Sequence, residues 1–184
     1  NSNFAIDKLR VMESSNAYVF AGQYLQLPAP IGGGILKDAW YQYWDILPKL
    51  KWRKIYADTA QKTKEHNDYS VFQCWGDDGQ GGKYLIDQMR GKWEAPELIS
   101  AARGFWAKHK AADVPSMGHL RAMMVEDKVS GTGLIQTLSR ERIPVIGIKR
   151  NIDKITRAMD AAPHLQAGHV YLPRAENWVR DFMA

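Results

Sequence analysis

Cysteine is nearly absent: the 184-residue chain has one, Cys74. A lone cysteine excludes an internal disulfide and a cysteine-rich zinc site. No apolar run approaches the roughly 18 residues that a membrane span requires. Signal-peptide features are also lacking, because Lys8 and Arg10 are not followed by an apolar stretch and a small-residue cleavage site. These absences read as a cytosolic protein. The five histidines, His66, His109, His119, His164 and His169, have no HxxxH or HxH spacing, which argues against a paired-histidine zinc site. Gly32-Gly33-Gly34 is not followed by Gly-Lys-Ser/Thr, so it is not a phosphate-binding loop. Ser130, in Ser-Gly-Thr-Gly, lacks the G-x-S-x-G pattern of a nucleophile elbow. The first residue is Asn1 rather than Met, and the sequence reads as a piece of a longer protein.

What is present is globular. Hydrophobic residues make up 45% and charged residues 24%, enough for one domain around a single core. Lys plus Arg is 25 and Asp plus Glu is 20, so 25 − 20 gives a net charge of +5. The basic residues cluster: Lys49, Lys51, Arg53 and Lys54; Arg140 and Arg142; Lys149, Arg150, Lys154 and Arg157. Such clusters suit a polyanion through counterion release, and they suit a solvated surface equally well. Trp40, Trp44 and Trp52 crowd one region and predict a packing cluster.

Along the chain, Gln26-Leu27-Pro28-Ala29-Pro30-Ile31-Gly32-Gly33-Gly34 is a breaker-rich connector. A short helix or strand follows over 39–44. Strands are expected over 52–57, 69–75 and 83–89, with the glycine turn from Gly76 to Gly82 between the last two, which makes an antiparallel meander. A helix over 95–109 follows, with Pro96 in its first turn. Thereafter strands over 122–125, 145–148 and 168–172 alternate with helices over 132–138, 151–161 and 176–183. The alternation makes the 122–125 and 145–148 strands parallel. The fold class is therefore α/β, a mixed sheet with an antiparallel three-strand meander plus parallel strands, flanked by helices.

The most informative residues are acids at strand ends. Asp58 follows Ile55-Tyr56-Ala57, and Glu126-Asp127 follows Met123-Met124-Val125. Residues just past the carboxyl ends of strands in an open sheet line its binding crevice. Two acids brought together there repel each other, and a divalent cation removes that repulsion. Oxygen-only ligation favours Mg²⁺ or Mn²⁺, and a pair of such ions can activate water and stabilise the leaving oxygen of a phosphodiester. The same acids could simply start Asx-turns. Asp68 and the Asp77-Asp78 pair read more readily as turn residues than as ligands, and mid-strand Cys74 reads as a buried structural cysteine.

Ile55-Tyr56-Ala57-Asp58-Thr59-Ala60 with Asn67-Asp68-Tyr69-Ser70-Val71, and the run from Val125 to Gln136 (VEDKVSGTGLIQ), resemble the nuclease domain of phage terminase large subunits. Ile143-Pro144-Val145-Ile146-Gly147-Ile148, Asp153-Lys154-Ile155-Thr156-Arg157-Ala158, Ala167-Gly168-His169-Val170-Tyr171-Leu172-Pro173 and Trp178-Val179-Arg180-Asp181-Phe182 fit the segments that follow. Phe20-Ala21-Gly22-Gln23-Tyr24-Leu25-Gln26-Leu27-Pro28 is similar to the connector between packaging ATPase and nuclease. The resemblance implies an RNase H-like, RuvC-like fold. It divides the chain into an arm over 1–47, from an ATPase domain not included, and a nuclease domain over 48–184. It implies a metal-dependent endonuclease that cuts concatemeric viral double-stranded DNA during genome packaging.

The site carried over comprises Asp58 with Glu126 or Asp127 as catalytic acids. Asp58 and Asp127 are favoured as ligands of Mg²⁺ or Mn²⁺, in a two-metal site when the domain is complete. A one-residue shift of register would exchange Glu126 for Asp127. Lys128 is placed near the scissile phosphate. Lys149, Arg150, Lys154 and Arg157 are expected to touch DNA phosphates, which gives affinity without sequence readout. The family's third acid follows its last helix; this sequence ends at Ala184, before that point, and Asp181 within the predicted helix is a poor substitute. The small terminase subunit and the portal are the implied partners and the host cell cytoplasm the implied location, with no membrane and a monomeric domain. Two other readings remain at this level: a junction resolvase or transposase-like enzyme of the same fold, and a DNA-binding module without catalysis.

Overall fold

A computed structural model describes residues 35–60, 69–127, 129–149 and 151–183. The connector around Gly32–Gly34, Asp68, Lys128 and Arg150 lie outside the described residues. A 3-10 turn, Asp38–Trp40, leads into β1 (Gln42–Trp44), β2 (Trp52–Asp58), β3 (Ser70–Asp77) and β4 (Lys83–Gly91). The helix α1 (Ala95–Ala111) follows, then β5 (His119–Glu126), α2 (Val129–Arg140), β6 (Val145–Ile148), α3 (Lys154–Gln166), β7 (Val170–Pro173) and α4 (Val179–Met183). The seven strands form one sheet in the order β1-β7-β4-β3-β2-β5-β6. β2, β3 and β4 pair antiparallel as the expected meander. β5 joins β2 in parallel and β6 joins β5 in parallel, while β7 runs parallel to both β4 and β1.

Alternation along the strands sorts the two faces. Ile55, Ala57, Phe72, Cys74, Met123 and Val125 point to one side and pack against Leu98, Ala102, Phe105 and Trp106 of α1 and Leu134 and Leu138 of α2. Each fully buried side chain of this size contributes roughly 1.5–3 kcal/mol of transfer free energy. Cys74 lies in this layer, where burial pushes its thiol up to about 12, so it packs as a small hydrophobe rather than acting as a nucleophile. On the other face, Leu85, Leu172 and Val179 gather Tyr41, Trp75, Trp178 and Phe182 into a second cluster toward the β7 side.

The short helix or strand expected over 39–44 includes the edge strand Gln42–Trp44, which pairs with Tyr171 and its neighbours in β7. Three local details differ from the sequence reading. The helix expected over 151–161 starts at Lys154, where the Asp153 carboxylate accepts from the N–H groups of Ile155 and Thr156. It then runs on past Pro163, a residue that normally ends a helix. Trp40, Trp44 and Trp52 do not share one cluster: Trp40 sits under Lys37, Trp44 donates to the Leu85 carbonyl, and Trp52 lies among Lys54, Lys83 and Arg121. Arg53, grouped with the surface cations, is 0% exposed. Its guanidinium donates to the carbonyls of His109, Ala112 and Gly118 and pairs with Asp113 at 2.6 Å, capping the C-terminus of α1.

Candidate active site

Strand alternation and parallel pairing bring two acids together. Asp58 shares a face with Tyr56, opposite the core residues Ile55 and Ala57. Tyr56 lies opposite Met124 and Ala57 opposite Val125, so the next pair across β2 and β5 is Asp58 and Glu126. Across the remaining strands the row continues to Ile148 on β6 and Val71 on β3. A cleft of about 300 Å³ opens on this row, lined by Tyr56, Ala57, Asp58, Val71, Gln73, Met124, Glu126, Ile148 and Arg157. Glu126 is buried and Asp58 is exposed.

Asp127 sits just past the strand and is not among the lining residues. Its N–H donates to the Ile148 carbonyl at 2.9 Å, and its carboxylate accepts from the Thr132 hydroxyl at 3.1 Å. It thereby ties the end of β5 to the first turn of α2 and to the end of β6. One glycine permits that tight turn: a Cβ on Gly131 would lie 2.1 Å from the Glu126 carbonyl oxygen. The first glycine of the Ser-Gly-Thr-Gly run thus has a packing reason: α2 starts almost on the backbone of the acidic strand end.

Of the expected DNA contacts, Arg157 is the one that lines the cleft. Its Nε is buried and has no hydrogen-bond partner among the described residues. It belongs to the first turn of α3, whose start Asp153 caps. Lys149 is exposed directly after β6. The Lys154 side chain, like Lys128 and Arg150, lies outside the described part of the structure. Gln73 was missed by sequence reasoning. Its amide donates to Gln88 at 2.7 Å and accepts from the Trp75 indole at 3.0 Å, so it forms a fixed polar wall of the cleft. A polar residue amid Val71, Phe72, Cys74 and Trp75 was the available signal. Asp77 and Asp78 act as turn residues: Asp77 accepts from the Gly79 N–H, and Asp78 from those of Gln80 and Gly82.

The donor set fits a hard divalent cation. Two carboxylates on neighbouring strands offer oxygen only, and among the described residues neither histidine nor cysteine lines the cleft. Among the described residues no group of three or more His, Cys, Asp or Glu side chains comes together. Two protein carboxylates nevertheless suit Mg²⁺, which keeps several waters and takes further oxygens from a phosphate substrate.

Residues 55–184 match the family described as the terminase RNaseH-like domain. The chain belongs to that family. The mixed seven-strand sheet with flanking helices is its RNase H-like fold. Among solved structures, the large terminase of a thermophilic bacteriophage aligns with a TM-score of 0.59 at 13% identity, over 80% of this chain and 35% of that one. This terminase chain therefore spans about a third of the length of that relative. The human cytomegalovirus terminase nuclease domain aligns with a TM-score of 0.56 at 12% identity, over 72% of this chain and 71% of that one. The large terminase nuclease of a second thermophilic phage, G20c, with bound magnesium, aligns with a TM-score of 0.49 at 17% identity, over 78% of this chain and 67% of that one. None of the curated proteins matches the chain. No helix among the described residues is long and apolar enough to cross a membrane.

Proposed function

We propose that this terminase RNase H-like chain is a divalent-metal-dependent endonuclease that cuts concatemeric viral duplex DNA during genome packaging. The observation that carries the reading is the pairing of Asp58 with Glu126 at the carboxyl ends of adjacent parallel strands, over a cleft that also holds Arg157. Family membership supports the terminase role over a junction resolvase or transposase-like enzyme.

In this reading Asp58 and Glu126 hold Mg²⁺ or Mn²⁺, and Asp127 serves the turn that fixes Glu126. Such an ion, when bound, activates water as a nucleophile and offsets charge on the phosphate. The chain's own contributions are positional. Asp58, at the exposed side of the pair, leaves the row open to a substrate phosphate. The buried Glu126 is fixed by the strand on either side of it. Arg157 presents a guanidinium to a phosphate entering the cleft, and its unpartnered Nε is a donor that such an oxygen would satisfy. Lys149, with Lys128, Arg150 and Lys154, adds sequence-independent phosphate affinity around it. The partners that follow are double-stranded DNA, the small terminase subunit and the portal, in the host cytoplasm.

The test is nicking of supercoiled plasmid by the chain in Mn²⁺, Mg²⁺ or EDTA. Cutting with either ion, none in EDTA, and loss of cutting in Asp58→Asn are expected. Cutting that survives EDTA or that substitution would overturn the assignment.

A further inference from the structure

The acid row extends beyond the cleft. Asp58 lies opposite Val71 on β3, and Val71 lies opposite Arg90 on β4. Two strand spacings put the Arg90 backbone about 10 Å from that of Asp58, on the same face of the sheet. That distance is about three axial steps along one DNA strand, at roughly 3.4 Å each. Ser70 lies opposite Gly91, so the next position outward brings Tyr69 beside Lys92. The Arg90 guanidinium sits 3.9 Å from the centre of the Tyr69 ring and the Lys92 ammonium 4.9 Å from it. Tyr69 is 48% exposed, and Arg90 and Lys92 are exposed.

Two features suit this cluster to an external anion, and both are shared in part by the cations around Trp52. First, neither Arg90 nor Lys92 pairs with a carboxylate among the described residues, whereas Lys83, Arg103, Lys108, Lys110 and Arg174 each do. Second, one aromatic ring holds both cations. A ring fixes a cation without neutralising it, so the charges stay available to an external anion while losing less side-chain freedom on binding.

We propose that Tyr69, Arg90 and Lys92 form a phosphate-binding platform that grips the duplex backbone a few nucleotides from the point of cleavage. The inference rests on the nuclease reading above and extends it to a surface outside the cleft. The platform sets position rather than sequence, because its donors meet the backbone and no base edge. It also gives the acid row a direction: DNA crosses the strands from β6 toward β4.

The test is the affinity of the chain for a labelled 30-base-pair duplex in EDTA, across a salt series. Arg90→Ala with Lys92→Ala should weaken binding about tenfold or more at low salt. The slope of log affinity against log salt should become shallower by about 1.8, or roughly 0.9 for each phosphate no longer neutralised. Tyr69→Ala should weaken binding a few-fold without changing net charge. The matched control, Arg103→Ala with Arg140→Ala, removes the same charge from the helices on the opposite face and should leave the slope within experimental scatter. A double variant that keeps the wild-type slope, or that merely equals the control, overturns the platform while leaving the nuclease reading intact. A wild-type chain that neither binds duplex nor cuts plasmid sinks the nuclease reading and the platform together.

Discussion

Asp58 and Glu126 stand side by side on one face of the sheet, each the last residue of its strand and joined through the parallel register of β2 and β5. The same register turns Ala57 and Val125 into the core, against α1 and α2. Packing on one face therefore sets the geometry of the acids on the other. A slip of one residue in either strand would bury a carboxylate in an apolar layer, which the core strongly disfavours.

The proposed function gives two adjacent acids different roles. Glu126→Gln should abolish metal-dependent plasmid cutting, by at least about a hundredfold, as loss of a group that holds the ion. Asp127→Asn keeps an acceptor for the Thr132 hydroxyl and should cut within a few-fold of wild type. Thermal melts with and without Mn²⁺ give a readout independent of activity. Saturating ion should raise the melting temperature of wild type and Asp127→Asn but not of Glu126→Gln. The opposite pattern would make Asp127 the ligand.

Arg53 is buried and holds several groups at once. Arg53→Met would leave the Asp113 carboxylate without its buried partner and three carbonyls without a donor. Breaking a buried pair in this way costs about 3–5 kcal/mol. Urea unfolding should show that loss, and Arg53→Met combined with Asp113→Asn should recover part of it. A loss below about 1 kcal/mol would mean that the guanidinium is not the hub of this junction.

Two carboxylates make folding sensitive to acid. Burial opposes ionisation of Asp87, but its hydrogen bond to His109 and the neighbouring Lys108 outweigh that and hold it below the ordinary carboxylate range. Asp113 is also lowered, with burial again opposed, here by Lys110, the Leu120 N–H and Arg53. A lowered folded value means that the folded state binds protons less readily than the unfolded chain. The stabilisation is thus complete above the ordinary value near 3.8 and is lost as pH falls below it. Melting temperatures should be nearly flat from about pH 7 to 5 and drop steeply between about pH 4 and 2.5. Asp87→Asn should flatten that acid limb; an unchanged limb would remove Asp87 from the account.

How much of this was legible in the sequence follows from how local each signal is. The 145–148 strand and the meander are written in short apolar runs and a glycine turn, and both acids could be seen ending strands. The choice between Glu126 and Asp127 depends on which side of β5 faces α1, a non-local fact that no run of residues states. The 39–44 segment reads as a short helix or strand, and what makes Gln42–Trp44 a strand is its pairing with β7, about 130 residues away. Arg53 lies between Trp52 and Lys54 and reads as one more surface cation. Only the packed α1 terminus, with its exposed carbonyls, shows why a guanidinium is buried there.

Gly131 links the helix to the acid without touching any substrate. Its place in α2 requires no unusual backbone angle, so its importance lies in space: an added Cβ would fall 2.1 Å from the Glu126 carbonyl oxygen, a backbone atom with no rotamer to escape into. Gly131→Ala must therefore push α2 away from the end of β5. That movement strains the Thr132–Asp127 hydrogen bond and loosens Leu134, which is buried beneath the same helix. The expected outcome is a loss of stability of about 1–3 kcal/mol from overpacking, together with reduced metal-dependent cutting. Gly133→Ala is the matched comparison, since nothing lies within 4 Å of its Cβ position and alanine favours the helix. It should be neutral or slightly stabilising and should leave cutting unchanged. If both substitutions behave alike in urea unfolding and in plasmid nicking, the close approach of α2 to Glu126 is not what fixes the acid.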